Sequence, residues 1–321
     1  MFDMVSHHLD ASGTFVRILF MDFSSAFNTI QPYLLLQRLK DLQVNETIIL
    51  WIHFFLCDWP QRVNVAGQFS DEIVVNTGAP QGCVLSPILF SVYTNEIMCK
   101  DSILALVKFA DDMALVARLK DEFSIARYHL FISDLVAGFG KSFLELNIKK
   151  TKELCIGNRQ KQNPSFSSPL QINGQEVEQV EHFKYLGTVL DHTLTFTENV
   201  DFICKKANQR LYLLRKLRSF NVNKDILETV YKSLVESVLT FNLVSYYGNL
   251  TVKNKSRLAR VVGLAGNIIG RKQAPLSDLY TSALKKKASK ILSDQTHPLH
   301  SKFEALPSGR RLRVPMARKN A

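Results

Sequence analysis

Residues 104–119 read LALVKFADDMALVARL: two apolar runs, Leu104–Ala110 and Met113–Ala117, parted only by Asp111 and Asp112. Two strand-forming runs around a two-residue break predict an antiparallel hairpin. Its turn is unusual, because adjacent carboxylates repel and cost stability unless positive charge lies between them. Far upstream, Val16–Phe20 (VRILF) predicts a buried strand that delivers Asp22 at its end. If these strands are neighbours in one sheet, three carboxylates converge at its edge. Such a cluster calls for divalent cations, and Mg²⁺ prefers hard oxygen ligands completed by substrate phosphate. Two such ions can clamp the attacking and leaving oxygens of an in-line phosphoryl displacement. On spacing alone, a solvated turn and an ordinary strand-end acid explain the same residues about as well.

The surrounding pattern mixes helices and strands. Helices are expected from Gln31-Pro32, over Glu46–Cys57, over Ile88–Met98 with Pro87 near the first turn, and over Asp121–Gly138. Arg62–Val65 and Glu72–Val75 predict two short strands around Gly67, and Phe183–Leu190 a strand pair. Asn158–Pro169 (NRQKQNPSFSSP) has the composition of a surface linker, and from Asn199 onward the spacing is helical.

Composition narrows the class. The 321 residues are 46% hydrophobic and 21% charged with 14 Gly and 10 Pro, which excludes collagen-like, disordered and disulfide-scaffold chains. Lys plus Arg number 40 against 29 Asp plus Glu, a net +11, and the excess is lopsided. Residues 201–321 hold 24 basic and 7 acidic side chains, whereas residues 1–200 hold 16 and 22. A basic half suits a polyanionic partner, since Lys and Arg displace the counterions of a phosphate backbone. The five scattered cysteines form no CxxC pair, which argues for a reducing compartment. His297 and His300 lack the cysteines that would complete a zinc set and read as structural. No basic-then-apolar leader opens the chain, and no run approaches the ~20 apolar residues of a membrane span. The expectation is a protein that is neither secreted nor membrane-bound.

Five blocks now stand in order: LFMDFSSAFNTIQP (19–32), NTGAPQGCVLSPILFSVYTNE (76–96), VKFADDMALVARL (107–119), LELNIKKTKE (144–153) and FKYLGTVLD (183–191). Together they resemble the reverse transcriptases of non-LTR (LINE-type) retrotransposons, in wording most like vertebrate, fish-type elements. FADD alone is weakly specific; five blocks in order are strongly so. The resemblance implies an α+β fold: a polymerase right-hand palm of antiparallel strands backed by helices over 1–191, then a helical, basic thumb and C-terminal region over 192–321. Only 21 residues precede Asp22, so the fingers are expected to be largely missing, as is the endonuclease of the full-length element. From this truncation, weak or absent primer extension is expected.

The resemblance also implies roles. Asp22, Asp111 and Asp112 match the catalytic acids that hold two Mg²⁺ ions (Mn²⁺ being an alternative), with the Phe23 carbonyl as a further oxygen ligand. Phe27 matches the aromatic that packs under the nucleotide sugar and disfavours a 2′-hydroxyl. Gln81 and Gly82 match the loop lying against the incoming dNTP. Lys150 matches a basic residue that assists the departing pyrophosphate. Phe183, Lys184, Tyr185 and Gly187 match a hairpin that grips the primer end. Lys205, Lys206, Arg210, Arg215 and Arg218 recur along one helix and are expected to face an RNA template and DNA primer. The element's ribonucleoprotein would occupy cytoplasm and nucleus. Two other readings remain: a non-enzymatic nucleic-acid-binding remnant, and an RNA-dependent RNA polymerase, which typically carries GDD.

Overall fold

A computed structural model of the chain describes residues 2–9, 13–157, 168–304, 306–308 and 311–313. The chain divides into two compact units, one ending at Leu194 and one beginning at Thr195. The expected linker falls, over residues 158–167, outside the described residues.

The first unit begins with α1 (Phe2–Leu9), β1 (Phe15–Met21), α2 (Pro32–Asp41) and α3 (Glu46–Leu56). Four short strands follow: β2 (Trp59–Gln61), β3 (Asn64–Val65), β4 (Gln68–Phe69) and β5 (Ile73–Val75). Next come α4 (Ser86–Tyr93), β6 (Leu104–Phe109), β7 (Asp112–Leu119), α5 (Glu122–Lys141) and β8 (Lys152–Ile156). The unit closes with β9 (Gln171–Ile172), β10 (Gln175–Glu176), β11 (Glu178–Val180), β12 (His182–Tyr185) and β13 (Thr188–Asp191).

Its centre is a five-stranded sheet in the order β11-β8-β1-β7-β6. All seven residues of β1 are buried, because β7 and β8 flank it and both faces are covered. On one face Phe15, Leu19, Met21, Leu115 and Leu119 join Leu35 and Leu39 of α2, Phe90 and Tyr93 of α4, and Tyr128, Ile132 and Phe139 of α5 in one hydrophobic cluster. Truncating any such leucine to alanine costs about 2–5 kcal/mol. On the other face Ile18, Phe20, Ala114, Val116 and Leu154 are also buried, and Phe183 and Tyr185 of the β12–β13 hairpin lie on Phe20. The sheet is antiparallel except at its edge, where β11 runs parallel to β8.

Two local expectations are corrected. The helix expected over Ile88–Met98 ends at Tyr93, because Lys108 Nζ from β6 takes the carbonyls of Thr94 and Ile97 (2.8 and 3.0 Å), which a longer helix would need for its own N–H groups. The two strands expected around Gly67 are a nested pair: β3 and β4 close on Ala66–Gly67, both at positive φ (51° and 88°), and β2 pairs with β5 outside them. Arg17 stands fully buried inside an otherwise apolar strand, where Glu153 of β8 meets it at 3.5 Å.

The second unit is helical: α6 (Thr197–Ser219), α7 (Lys224–Tyr231), α8 (Ser237–Thr240), α9 (Leu243–Tyr246), α10 (Val252–Ile269) and α11 (Leu276–Ser293), with a π turn at Lys232–Glu236. α6 buries Ile203, Cys204, Ala207, Leu211 and Leu214, an i, i+1, i+4, i+8, i+11 stripe, against α7, α8 and α10.

Candidate functional site

The register of the central strands assembles the site. Met21 pairs with Met113, so one step further Asp22 comes opposite Asp112, and Phe109 pairs with Asp112 across the β6–β7 turn. That turn consists of Ala110 and Asp111, with Ala110 in the left-handed region (φ 52°), a conformation that costs an alanine about 1–2 kcal/mol. The Asp112 carboxyl is raised above its ordinary value, first by partial burial, then by the charges of Asp111 and Asp22. Asp112 therefore feels both of the other acids.

A loop after α5 fixes the end of β1. The Asn147 N–H donates to the Asp22 carbonyl (2.8 Å), and Thr151 Oγ1 accepts from the Asp22 N–H (3.3 Å) while donating to the Asn147 carbonyl (2.9 Å). Thr151 is fully buried. Lys150, exposed between them, brings its Nζ to 3.6 Å from Asp22 Oδ2. That oxygen is itself buried and makes no hydrogen bond. Asn147 and Thr151 bracket Lys150, and of the three only the lysine was singled out in the sequence.

An orphaned carboxylate oxygen, hard oxygen donors on three acids and mutual repulsion all fit a divalent cation. Among the described residues no three acid, His or Cys side chains already stand close enough to hold an ion, so the carboxylates would have to draw together around it. Phe23 bridges to Leu146 through its backbone, and its ring lies in the helix-covered core, edge-on to Phe139 at 4.9 Å.

The second loop is tied to the first by backbone. The Gly78 N–H donates to the Ile30 carbonyl (2.7 Å) and the Ala79 N–H to that of Phe27 (2.8 Å). Gly78, at φ 85°, admits no side chain, since a Cβ would stand 2.9 Å from the Asn28 Cα. Half-buried Phe27 packs on Phe90 at 5.4 Å. Gln81 and Gly82 are exposed, and Gln81 Nε2 donates to Asn28 Oδ1 (3.1 Å), a partner 53 positions away that no motif spacing signals. These loops, with Trp59, Gln61 and Thr77, line a cavity of about 460 Å³.

In the β12–β13 hairpin the turn is Leu186–Gly187, both at positive φ (46° and 82°). Phe183 stacks on Phe20 (4.2 Å, 16°), and Lys184 and Gly187 are exposed. Tyr185 is buried rather than displayed to a nucleic-acid backbone. In the second unit Lys205, Lys206, Arg215 and Arg218 are exposed along α6. Arg210 is not on that open face: it is half-buried and donates to the Leu234 carbonyl inside the π turn. No described helix is long and apolar enough to cross a membrane.

A helix-backed sheet whose central strands bring Asp22 opposite Asp112, with Asp111 in the adjoining turn, has the architecture of a polymerase palm. Residues 2–190 match the reverse transcriptase (RNA-dependent DNA polymerase) family, and the chain belongs to it. Residues 196–237 match a second family, described as the N-terminal part of the alkylated DNA repair protein alkB homolog 8. Among curated proteins the chain is 28% identical over 63% of its length to a probable RNA-directed DNA polymerase from transposon BS of Drosophila melanogaster, covering 23% of that protein. It is 24% identical over 71% of its length to the RNA-directed DNA polymerase from mobile element jockey of the same species, covering 25%. A third relative, from transposon X-element, is 26% identical over 70% of the chain and 25% of its own length. The chain thus carries a reverse transcriptase domain and spans about a quarter of the length of these relatives. Among solved structures, apo telomerase from Candida tropicalis overlaps 94% of the chain and 54% of its own at TM-score 0.43 and 11% identity.

Proposed function

We propose that this chain is the catalytic palm and basic helical portion of a polymerase that copies an RNA template into DNA from a primer, using dNTPs. The observation that carries the reading is the facing of Asp22 and Asp112 across paired strands, with Asp111 in the adjoining turn. Asp22, Asp111, Asp112 and the Phe23 carbonyl would hold two Mg²⁺ ions, with Mn²⁺ as a substitute. Bound there, such ions lower the pKa of a primer 3′-hydroxyl and steady the oxygen that leaves with pyrophosphate. Lys150, extended over Asp22 and exposed, is placed to offer charge or a proton to that leaving group.

Phe27, held by its packing on Phe90 and by the Gly78–Ala79 bonds, presents a rigid ring where a sugar would lie, which favours deoxynucleotides. The amides of Gln81 and Asn28 and the bare backbone of Gly82 offer hydrogen bonds and close approach to the nucleotide. Phe183, Lys184 and Gly187 would meet the primer end, and exposed Lys205, Lys206, Arg215 and Arg218 the sugar-phosphate backbone. The parent element would be a non-LTR retrotransposon of vertebrate, fish-type wording, with its ribonucleoprotein in cytoplasm and nucleus. Fingers and endonuclease would belong to the full-length polypeptide.

The test has two arms. Mn²⁺ binding by the chain, read by electron paramagnetic resonance, is expected and should vanish in Asp22→Ala. Incorporation of dNTP on an RNA template with Mg²⁺ should exceed that of Asp111→Ala. Salt-dependent RNA binding with no Mn²⁺ binding at all would instead identify a non-enzymatic nucleic-acid-binding remnant.

A further inference from the structure

Phe20 and Asp22 share one face of β1, and Ala114 and Asp112 share the same face of β7, since side chains alternate and Phe20 pairs with Ala114. That is the face on which the β12–β13 hairpin lies. The Tyr185 ring stands 5.2 Å from that of Phe20, tilted 41°, beside the Phe20–Phe183 stack. Tyr185 is only 7% exposed, and its hydroxyl is buried without a hydrogen-bond partner. It cannot swing freely, because the Leu186–Gly187 turn pairs it with Thr188 and Phe20 packs against its ring. A buried, unsatisfied hydroxyl is unfavourable by about 1–3 kcal/mol, and phenylalanine would fill the same space without that loss. The hydroxyl therefore calls for a partner that no described residue supplies in this arrangement of the acids.

Asp112, on the same face of the sheet two residues from the Phe20–Ala114 pair, is the acid the geometry offers as that partner. Burial, and after it the negative charge of Asp112, raise the Tyr185 phenol to about 12. At neutral pH the phenol is a neutral donor. Among the described residues the Asp112 carboxylate makes no ion pair or hydrogen bond, whereas Asp22 has Lys150 at 3.6 Å. A cation beside Asp112 would compete with a bound metal ion; an uncharged hydroxyl would not.

We propose that Tyr185 is a positioning residue of the carboxylate cluster, its hydroxyl being the donor that fixes Asp112 when a divalent cation draws the acids together. This rests on the metal-binding reading above. Groups that orient metal-binding side chains in this way are worth about 10–100-fold in metal affinity.

The experiment is Mn²⁺ titration of the full chain by electron paramagnetic resonance, with a thermal melt of each variant. Tyr185→Phe keeps the ring on Phe20 and removes only the hydroxyl. It should weaken Mn²⁺ binding about 10-fold or more without lowering the melting temperature. Wild-type affinity in Tyr185→Phe, with binding lost in Asp22→Ala, overturns the proposal and leaves the metal site standing. Equal weakening in Phe183→Leu, which loosens the hairpin but keeps the hydroxyl, also overturns it, in favour of simple packing. Absence of Mn²⁺ binding in the wild type removes the metal site and this proposal together.

Discussion

Replacing Glu153 with leucine should unfold the first unit more readily than almost any other single change. Both Glu153 and Arg17 have no solvent-exposed surface, and their ends meet at 3.5 Å. Glu153 Oε1 also accepts from Tyr128 Oη (2.8 Å), and Oε2 from Gln179 Nε2 (2.9 Å). Glu153 therefore links β8, β1, α5 and β11 at one point inside the sheet. Removing the carboxylate leaves the guanidinium buried without its counter-charge, which costs about 3–5 kcal/mol, and strands the buried Tyr128 donor at about 1–3 kcal/mol, whereas exposed Gln179 turns to solvent. These losses share one site and are not additive, so about 3–6 kcal/mol is expected in all. Against a typical domain stability of about 5–15 kcal/mol, that is roughly a fifth or more.

Both tryptophans, Trp51 and Trp59, lie in the first unit, so urea unfolding followed by tryptophan fluorescence reports that unit. The compensating variant is Arg17→Met with Glu153→Leu and Tyr128→Phe. With apolar groups of similar bulk replacing the whole network, stability should return toward wild type, since a buried pair pays back little of its desolvation. A loss below about 1 kcal/mol in Glu153→Leu, or a triple variant no better than the single, would refute the reasoning.

Thr151→Val keeps the shape of the fully buried side chain but removes the hydroxyl that accepts from the Asp22 N–H. About 1–3 kcal/mol of stability should be lost in the same urea assay, together with Mn²⁺ affinity. In EDTA at neutral pH, Asp112→Asn should melt higher than wild type, because the raised carboxyl marks repulsion that grows as the group ionises. The stability tied to its proton is fully present below the ordinary value near 3.8 and is lost as pH rises through the raised one, so the advantage should fade in acid. Changing Lys205, Lys206, Arg215 and Arg218 together to Gln should flatten the salt dependence of RNA binding, by up to about one unit of slope for each phosphate no longer neutralised. Arg210→Gln should leave that slope unchanged and instead lower stability by about 1.5–3 kcal/mol through the Leu234 carbonyl.

The parts of the site that were legible in the sequence are those written in local pattern. Apolar runs ending in acids place Asp22, Asp111 and Asp112 at strand ends, and two-period alternation then dictates which of them face each other once β1 and β7 pair. What was not legible depends on partners far away in the chain. Nothing in VRILF says what a buried Arg17 would pair with, since its partner Glu153 arrives from β8, 136 positions on. The parallel pairing of β11 at the sheet edge has no local signature at three residues' length. Tyr185 reads as an aromatic for gripping a backbone, because nothing in FKYLG says that its ring turns inward onto Phe20.

Arg210 differs, because the signal was present. It lies three residues after Ala207 and four before Leu214, both buried, so helical spacing alone puts it on the packed side of α6. Its charge is tolerated there because the π turn at Lys232–Glu236 widens the helix and leaves the Leu234 carbonyl open to an outside donor. Exact spacing thus sets Arg210 at the flank of the packed stripe, which the looser reading of cations recurring along one helix did not separate from the open face. The same distinction separates exposed Lys150, whose charge reaches Asp22 from solvent, from Arg17, whose charge is spent inside the fold. In a basic chain of this kind, the cations that can serve a nucleic acid are those that periodicity leaves on an open face.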